Sequence, residues 1–242
     1  MKKTIGTILM LAVLLSCSEL DKAAQSIGVN ANTASSTPKL TNEEVISGLK
    51  EALTVGITNS VNLTSVTDGF LGNANIRLPF PEDALKVKQK ALDWGLTNQV
   101  EKFETTLNRA AEEATKEALP IFKEAILGMS VQDGFAILNG GEGAATKFLK
   151  DNTTAKLTTA FSPKVQDAIK KVKLTDYWNP IINKYNSAMT LSGGDKINPD
   201  LDKFVTERAI IGLFKMVEIE ENKIRKDPAA RVSDLLKKVF GS

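Results

Sequence analysis

Val100-Glu-Lys-Phe103-Glu-Thr-Thr-Leu107-Asn-Arg-Ala110-Ala111-Glu-Glu-Ala114-Thr-Lys-Glu-Ala118-Leu-Pro-Ile121-Phe-Lys-Glu-Ala125 decides the fold. The residues numbered in that stretch recur every three or four positions, which lines one side of a helix and neither face of a strand. The alanines among them leave room for a neighbouring helix backbone to approach closely. The spacing predicts a long helix over 98–127 with Thr97 as its cap. Pro120 has no N–H to offer the carbonyl of Lys116, so a kink is expected there.

Toward the N-terminus, Thr41-Asn-Glu-Glu44 has the form of a capping box. It opens a helix to about Val66 whose inner face carries Leu49, Ala52, Leu53, Gly56 and Ile57. Residues 67–81, Thr-Asp-Gly-Phe-Leu-Gly-Asn-Ala-Asn-Ile-Arg-Leu-Pro-Phe-Pro, cannot continue it, because Asp68-Gly69 and Gly72-Asn73 are turn pairs and two prolines follow. Phe70, Leu71, Ile76, Leu78 and Phe80 are nevertheless large and apolar. The loop is therefore expected to pack onto the core rather than stand off it. A short helix at about 82–94 follows it.

Toward the C-terminus, Ser130 caps a helix at 131–138 that ends at Gly140-Gly141. Another helix starts near Gly143. Ser162-Pro163 reads as an N-cap with proline at the first helical position, and Thr175 opens a helix holding Tyr177 and Trp178. Asp200 opens a long helix to about Arg225 that is apolar almost all round, so it is expected at the centre. Asp227-Pro228 starts a last helix with Val232, Leu235, Leu236, Val239 and Phe240 inward. No sustained strand alternation and no fixed-period repeat is present. The expected fold is all-α: a single multi-helix domain over 41–242, about eight helices, with one packed irregular loop near 67–81.

Four residues stand out as candidates for binding. Arg77 lies between Ile76 and Leu78; in extended chain it turns away from the face shared by Ile76, Leu78 and Phe80. It is either plainly exposed or clamps Asp68 or a helix end. Asn108 sits at the edge of the alanine stripe. Next to it, Arg109 points away and reads as an i,i+4 partner of Glu113. Arg208 and Lys215 fall among Phe204, Ile211 and Ile219, while Lys203, Glu207, Glu218 and Glu221 carry the polar side of the same helix. A cation in apolar surroundings either extends its head to water, pairs with an acid, or serves an anion or lipid headgroup. Asn139-Gly-Gly-Glu-Gly143 before a helix could expose amides to an anion, but it lacks the Lys-Ser/Thr of a phosphate loop and reads as an interhelical turn.

The first residues report location. Met1-Lys2-Lys3-Thr4 is basic, Ile5–Leu15 is an apolar run, and Leu14-Leu15-Ser16-Cys17 resembles the bacterial lipobox. The run is too short to span a bilayer, which takes ~20 apolar residues. Residues 1–16 are thus expected to be a lipoprotein signal peptide. Cys17, the only cysteine, becomes the lipidated N-terminus carrying the palmitate-type anchor, and 17–40 a flexible tether. Sorting of such proteins, in which an aspartate after the cysteine retains them at the inner membrane, implies the outer membrane here, facing the periplasm, because Ser18 follows.

Composition narrows the chemistry. There is no histidine, which removes the commonest general base and metal ligand. With no cysteine beyond Cys17, Ser-His-Asp, Cys-His and His- or Cys-zinc sites are excluded within the chain. Loss of Lys2 and Lys3 leaves as many cations as acids, 29 of each. That balance gives no basic field for nucleic acid. No catalytic residue, metal site or cofactor is assigned.

Several segments together carry a likeness: Gly69-Phe-Leu-Gly-Asn73, Ile76-Arg-Leu-Pro-Phe-Pro81, Leu107-Asn-Arg-Ala-Ala-Glu112, Ile137-Leu-Asn-Gly-Gly141 with Ala144-Ala-Thr146, and Asn222–Gly241 with Asp227-Pro-Ala-Ala-Arg231. Over about 45–241 the chain resembles an uncharacterised bacterial family, a domain of unknown function in exported, often lipid-anchored, all-helical proteins. The resemblance implies one helical domain and supplies no activity. The expected function is a lipid-anchored cell-envelope module that binds or scaffolds a protein partner. The alternatives are a carrier or sensor of an apolar ligand held between helices, with Phe70, Leu71 and Phe80 lining a groove, and an enzyme using carboxylates alone.

Overall fold

The computed structural model describes residues 41–197, 199–231 and 233–240. The expected signal peptide, Cys17 and the expected tether lie outside them, as do Val232 and the side chains of Leu236 and Phe240 from the last expected stripe. Among the described residues there are nine α-helices and no strand: α1 Asn42–Thr64, α2 Leu85–Asp93, α3 Thr97–Thr115, α4 Ala118–Leu127, α5 Val131–Asn139, α6 Ala144–Lys171, α7 Leu174–Ser192, α8 Leu201–Lys226 and α9 Asp234–Phe240. No helix among them is long and apolar enough to cross a membrane.

The caps follow local chemistry. Thr41 accepts the amide of Glu44 at 3.2 Å and Glu44 reaches back to the Thr41 amide at 2.8 Å, closing the capping box. Ser130 and Asp133 close a second box at α5, and Asp200 accepts the Lys203 amide at the head of α8. Thr97 does not cap α3: the cap position is Leu96, with no side-chain bond, and Thr97 sits inside the first turn.

Pro120 divides the predicted long helix. The α-helical ladder is interrupted at Lys116 and Glu117, whose backbones stay in the right-handed helical region, and α4 restarts at Ala118, so that Pro120 falls in a first turn where its missing N–H costs nothing. The break shifts the inward face. Phe122 and Ile126 are buried beyond it, whereas Ile121 and Ala125, expected inward, are only half-buried. The opposite correction holds at Ser162-Pro163, which does not start a helix. Helix α6 runs straight through it, because Leu149, Thr153, Leu157, Phe161 and Val165 form one buried row at four-residue spacing on both sides. Packing of that row outweighs a lost backbone bond and the proline's steric cost, about 3 kcal/mol.

Helix α8 is central, packed on α1, α3 and α6. Ile211, an apolar neighbour of Arg208 and Lys215 on this helix, is 56% exposed. Helix α9 lies on α1 at Gly48, where an added methyl would fall 2.8 Å from Val239 Cγ2 and 3.0 Å from Leu235 Cγ. Asp227 caps a 3-10 turn at Pro228–Ala230 rather than α9 itself. The alanine stripe is buried as predicted: Ala110, Ala111, Ala114 and Ala118 are each 0% exposed, between α3–α4 and the helices they meet. Ala114→Leu is therefore expected to destabilise the domain by about 1–3 kcal/mol through overpacking. Glu113→Leu, which loses only partly exposed pairs to Lys116 and Lys171, should cost under about 1 kcal/mol. Equal shifts in urea midpoint for the two variants would refute the assignment.

Candidate functional site

The loop over 67–81 is held by its main chain. Phe70, Ile76, Leu78 and Phe80 are at most 6% exposed, and Leu71 is half-buried. The alternation expected of extended chain appears as drawn: Ile76, Leu78 and Phe80 inward, Arg77 and Pro79 outward. The Phe80 ring lies 4.8 Å from Phe103 and 6.0 Å from Trp178, which anchors the loop's end.

Burying irregular backbone leaves amides to satisfy, and two residues of α3, Glu112 and Asn108, do so. Glu112, 3% exposed, accepts the amides of Phe70 at 3.1 Å and Leu71 at 3.3 Å through one oxygen. Its other oxygen takes Arg109 at 2.7 Å, and the same guanidinium reaches Asp68 at 2.7 Å. The hydrogen bond that Arg109 donates to Glu112, and then the one it donates to Asp68, raise the pKa of its guanidinium above the ordinary value against the opposing effect of burial. Asn108, fully buried, accepts the Leu78 amide at 2.7 Å and returns bonds to the carbonyls of Leu78 at 3.1 Å and Glu104 at 2.8 Å.

Two expectations change here. Asp68 is clamped by Arg109, not by Arg77. Arg109 pairs with Glu112 rather than Glu113, whose carboxyl is pulled below its usual range by Lys116 and then Lys171. Asn108 is fully buried, with both amide hydrogens and one acceptor position engaged by backbone groups of Leu78 and Glu104.

The other three candidates meet. Arg77 on the loop and Arg208 and Lys215 on α8 line one groove of about 220 Å³, together with Asn75, Ile76, Leu78, Pro79, Ile211 and Gly212. They come together because Gly212 presents no side chain, so that Phe70 and Ile76 settle directly on α8. No carboxylate lines the groove. Each cation has an acid outside it. Arg77 is 3.7 Å from Glu104, beyond hydrogen-bond reach, while Glu104 is engaged with Lys88. Arg208 bonds Glu82 at 3.1 Å and lies over the Phe204 ring, and Lys215 bonds Glu218 at 2.9 Å. All three side chains are between a third and about half exposed, at 51%, 36% and 50% in turn. Arg208 and Lys215 are thus surface cations with surface partners, not buried charges.

At the far end of α8, Glu221 leaves the polar face assigned to it and is buried. Its carboxylate accepts the amides of Ala145 at 2.9 Å and Thr146 at 2.8 Å, at the start of α6. Arg225 bonds Glu221 at 3.0 Å and the Ile137 carbonyl at 2.8 Å. The amides after Asn139–Gly143 therefore do hold an anion, one from this chain. Beside it lies a void of about 20 Å³, room for one water. Among the described residues no group of three or more acids, cysteines or histidines could hold a metal. Glu112, Glu220 and Glu221, the buried acids among them, are each engaged, Glu220 by Asn59 at 3.0 Å. Phe70 and Phe80 face the core and not a groove, so the cavity that an apolar-ligand carrier would need is not formed by them.

Sequence reasoning missed Glu112 and Glu221. A signal existed for the first: Asn108, Glu112 and Thr115 form a polar row at i, i+4, i+7 beside the alanine stripe, and all three are buried. A family model described as "Protein of unknown function (DUF4197)" matches residues 39–241. No curated protein and no solved structure matches the chain.

Proposed function

The chain belongs to the DUF4197 family of proteins of unknown function, and from that premise we propose that it is a non-catalytic binding module held at the cell envelope by a lipid on Cys17. One observation carries the binding half. The buried carboxylates are engaged within the fold, Glu112 and Glu221 by backbone amides and Glu220 by Asn59, while three cations that no buried group needs surround a solvent-open groove with an exposed isoleucine at its lip. The groove's lining holds no carboxylate, and its one lysine, Lys215, is half exposed and bonded to Glu218, so its chemistry favours holding an anion over carrying a proton-transfer step.

The anchoring half rests on Leu14-Leu15-Ser16-Cys17 after a short apolar run. The 23 residues of the tether beyond Cys17, 18–40, would hold the domain roughly 26 Å off the membrane on average. Two measurements test the reading. Cys17→Ala is expected to abolish the lipid mass increment and release the protein from the outer-membrane fraction; an unmodified parent, or a variant that stays bound, removes the anchor. A photo-crosslinking amino acid at Ile211 is expected to trap a molecule in living cells far more strongly than one at Leu191, which is 91% exposed on α7. Equal yields at the two positions would remove the groove as a binding site.

A further inference from the structure

We infer that the groove between the loop and α8 binds the phosphate headgroup of an anionic lipid, with the adjoining acyl chains on Ile211 and Pro79. The inference rests on the reading of the chain as a binding module and adds the ligand's chemistry. Charge sets the first requirement: Arg77, Arg208 and Lys215 converge on one groove whose lining holds no acid. Arginine forks engage phosphate oxygens two at a time, and three cations exceed what one carboxylate can use.

The cations are free to do this. The partners of Arg208 and Lys215 are surface acids, and such pairs contribute little and exchange readily with a ligand. Among the described residues Arg77 gives its side chain to no hydrogen bond, and the acid it pairs with, Glu104, is 3.7 Å away. Polarity sets the second requirement. The floor is apolar, from Ile76 and Leu78, and the lip carries Ile211, 56% exposed directly between Arg208 and Lys215. A free inorganic anion has no use for that surface, whereas a headgroup joined to an acyl chain covers both halves. The size agrees: about 220 Å³ admits a phosphate ester and a few carbons, not a folded chain segment. The walls are preformed, because Leu78 is locked by Asn108 and Ile76 by Gly212, so little ordering cost attends binding.

The test uses the full chain carrying Cys17→Ala, so that no covalent lipid contributes. Short-chain (dihexanoyl) phosphatidate below its micellar concentration is titrated while amide NMR signals are followed, with inorganic phosphate and dihexanoyl phosphatidylcholine in parallel. Saturable shifts are expected at residues 75–79 and 208–215, weakening as salt rises. Changing Arg77, Arg208 and Lys215 together to methionine should weaken binding by at least about tenfold, the loss of charged hydrogen bonds, with the melting temperature nearly unchanged. Ile211→Glu should weaken it comparably with every cation in place. Shifts elsewhere, or a triple variant that binds like its parent, would overturn the inference. Equal affinity for inorganic phosphate would overturn the lipid assignment, and equal affinity for phosphatidylcholine the role of charge. A protein trapped at Ile211 in cells, with no lipid bound in vitro, would sink this inference and leave the binding module standing.

Discussion

Glu112→Ala is expected to cost the domain about 3–5 kcal/mol, the penalty for breaking a buried charged pair by removing one partner. The carboxylate serves three donors at once: the amides of Phe70 and Leu71 and the guanidinium of Arg109. Alanine leaves the two loop amides without an acceptor and Arg109, 26% exposed, with Asp68 alone, and an orphaned buried donor costs more than its hydrogen bond ever contributed. In a domain of about 200 residues that loss lowers the melting temperature by on the order of 10 °C. Glu112→Gln keeps one oxygen for the amides but turns an NH2 toward Arg109, so an intermediate loss is expected, about 1–3 kcal/mol. The neighbouring Glu113→Ala, whose partners are surface lysines, should fall within about 1 kcal/mol of the parent. Because Glu112 fixes the start of the loop whose tail walls the groove, Glu112→Ala should also speed protease cleavage near Gly69-Phe70. A urea midpoint for Glu112→Ala no lower than that of Glu113→Ala would mean that the clamp does not bear on stability.

That clamp marks where sequence reading runs out. The period of a helix or of extended chain is a local property, so Ala110, Ala111 and Ala114, and likewise Ile76, Leu78 and Phe80, announce their inward faces from the sequence alone. The partner of a buried polar group is a property of two distant segments. Nothing near Glu112 states that its oxygens meet Phe70 and Leu71, and nothing near Glu221 states that it meets Ala145 and Thr146. Proline positions fall between these cases. Both Pro120 and Pro163 signal a break, yet only the first makes one, because the buried row from Leu149 to Val165 keeps its phase through Pro163 while the stripe beyond Pro120 does not.

The groove is legible in the same divided way. Arg77, Arg208 and Lys215 each stand out because a cation interrupts an apolar pattern. Each was readable as a charge with unusual neighbours, and none indicated the other two. What joins the loop to α8 is Gly212, whose missing side chain carries no pattern of its own in a helix otherwise rich in large residues. A glycine inside a long apolar helix is the one local sign that another backbone or ring comes close there.

Phe70→Ala is expected to cost about 3–5 kcal/mol, as the ring is fully buried and its removal leaves a void that the clamped loop cannot collapse to fill. The position of that ring makes a sharper test available. A methyl built on Gly212 would stand 2.6 Å from Phe70 Cε1 and 3.3 Å from Ile76 Cβ. Gly212→Ala alone must therefore displace the ring and should cost about 1–3 kcal/mol by overpacking, net of the roughly 0.5–1 kcal/mol that alanine gains over glycine within a helix. With Phe70 already cut to alanine the nearer clash is gone. The same methyl then occupies part of the void, and the helix preference is left to act. Gly212→Ala should thus destabilise the parent and be neutral or stabilising in the Phe70→Ala background, so the two changes couple by more than about 1 kcal/mol in a double-mutant cycle. Additive losses, measured as urea midpoints at unchanged slope, would show that the ring does not seat on Gly212, and the account of how the loop and α8 come to share a groove would fall with it.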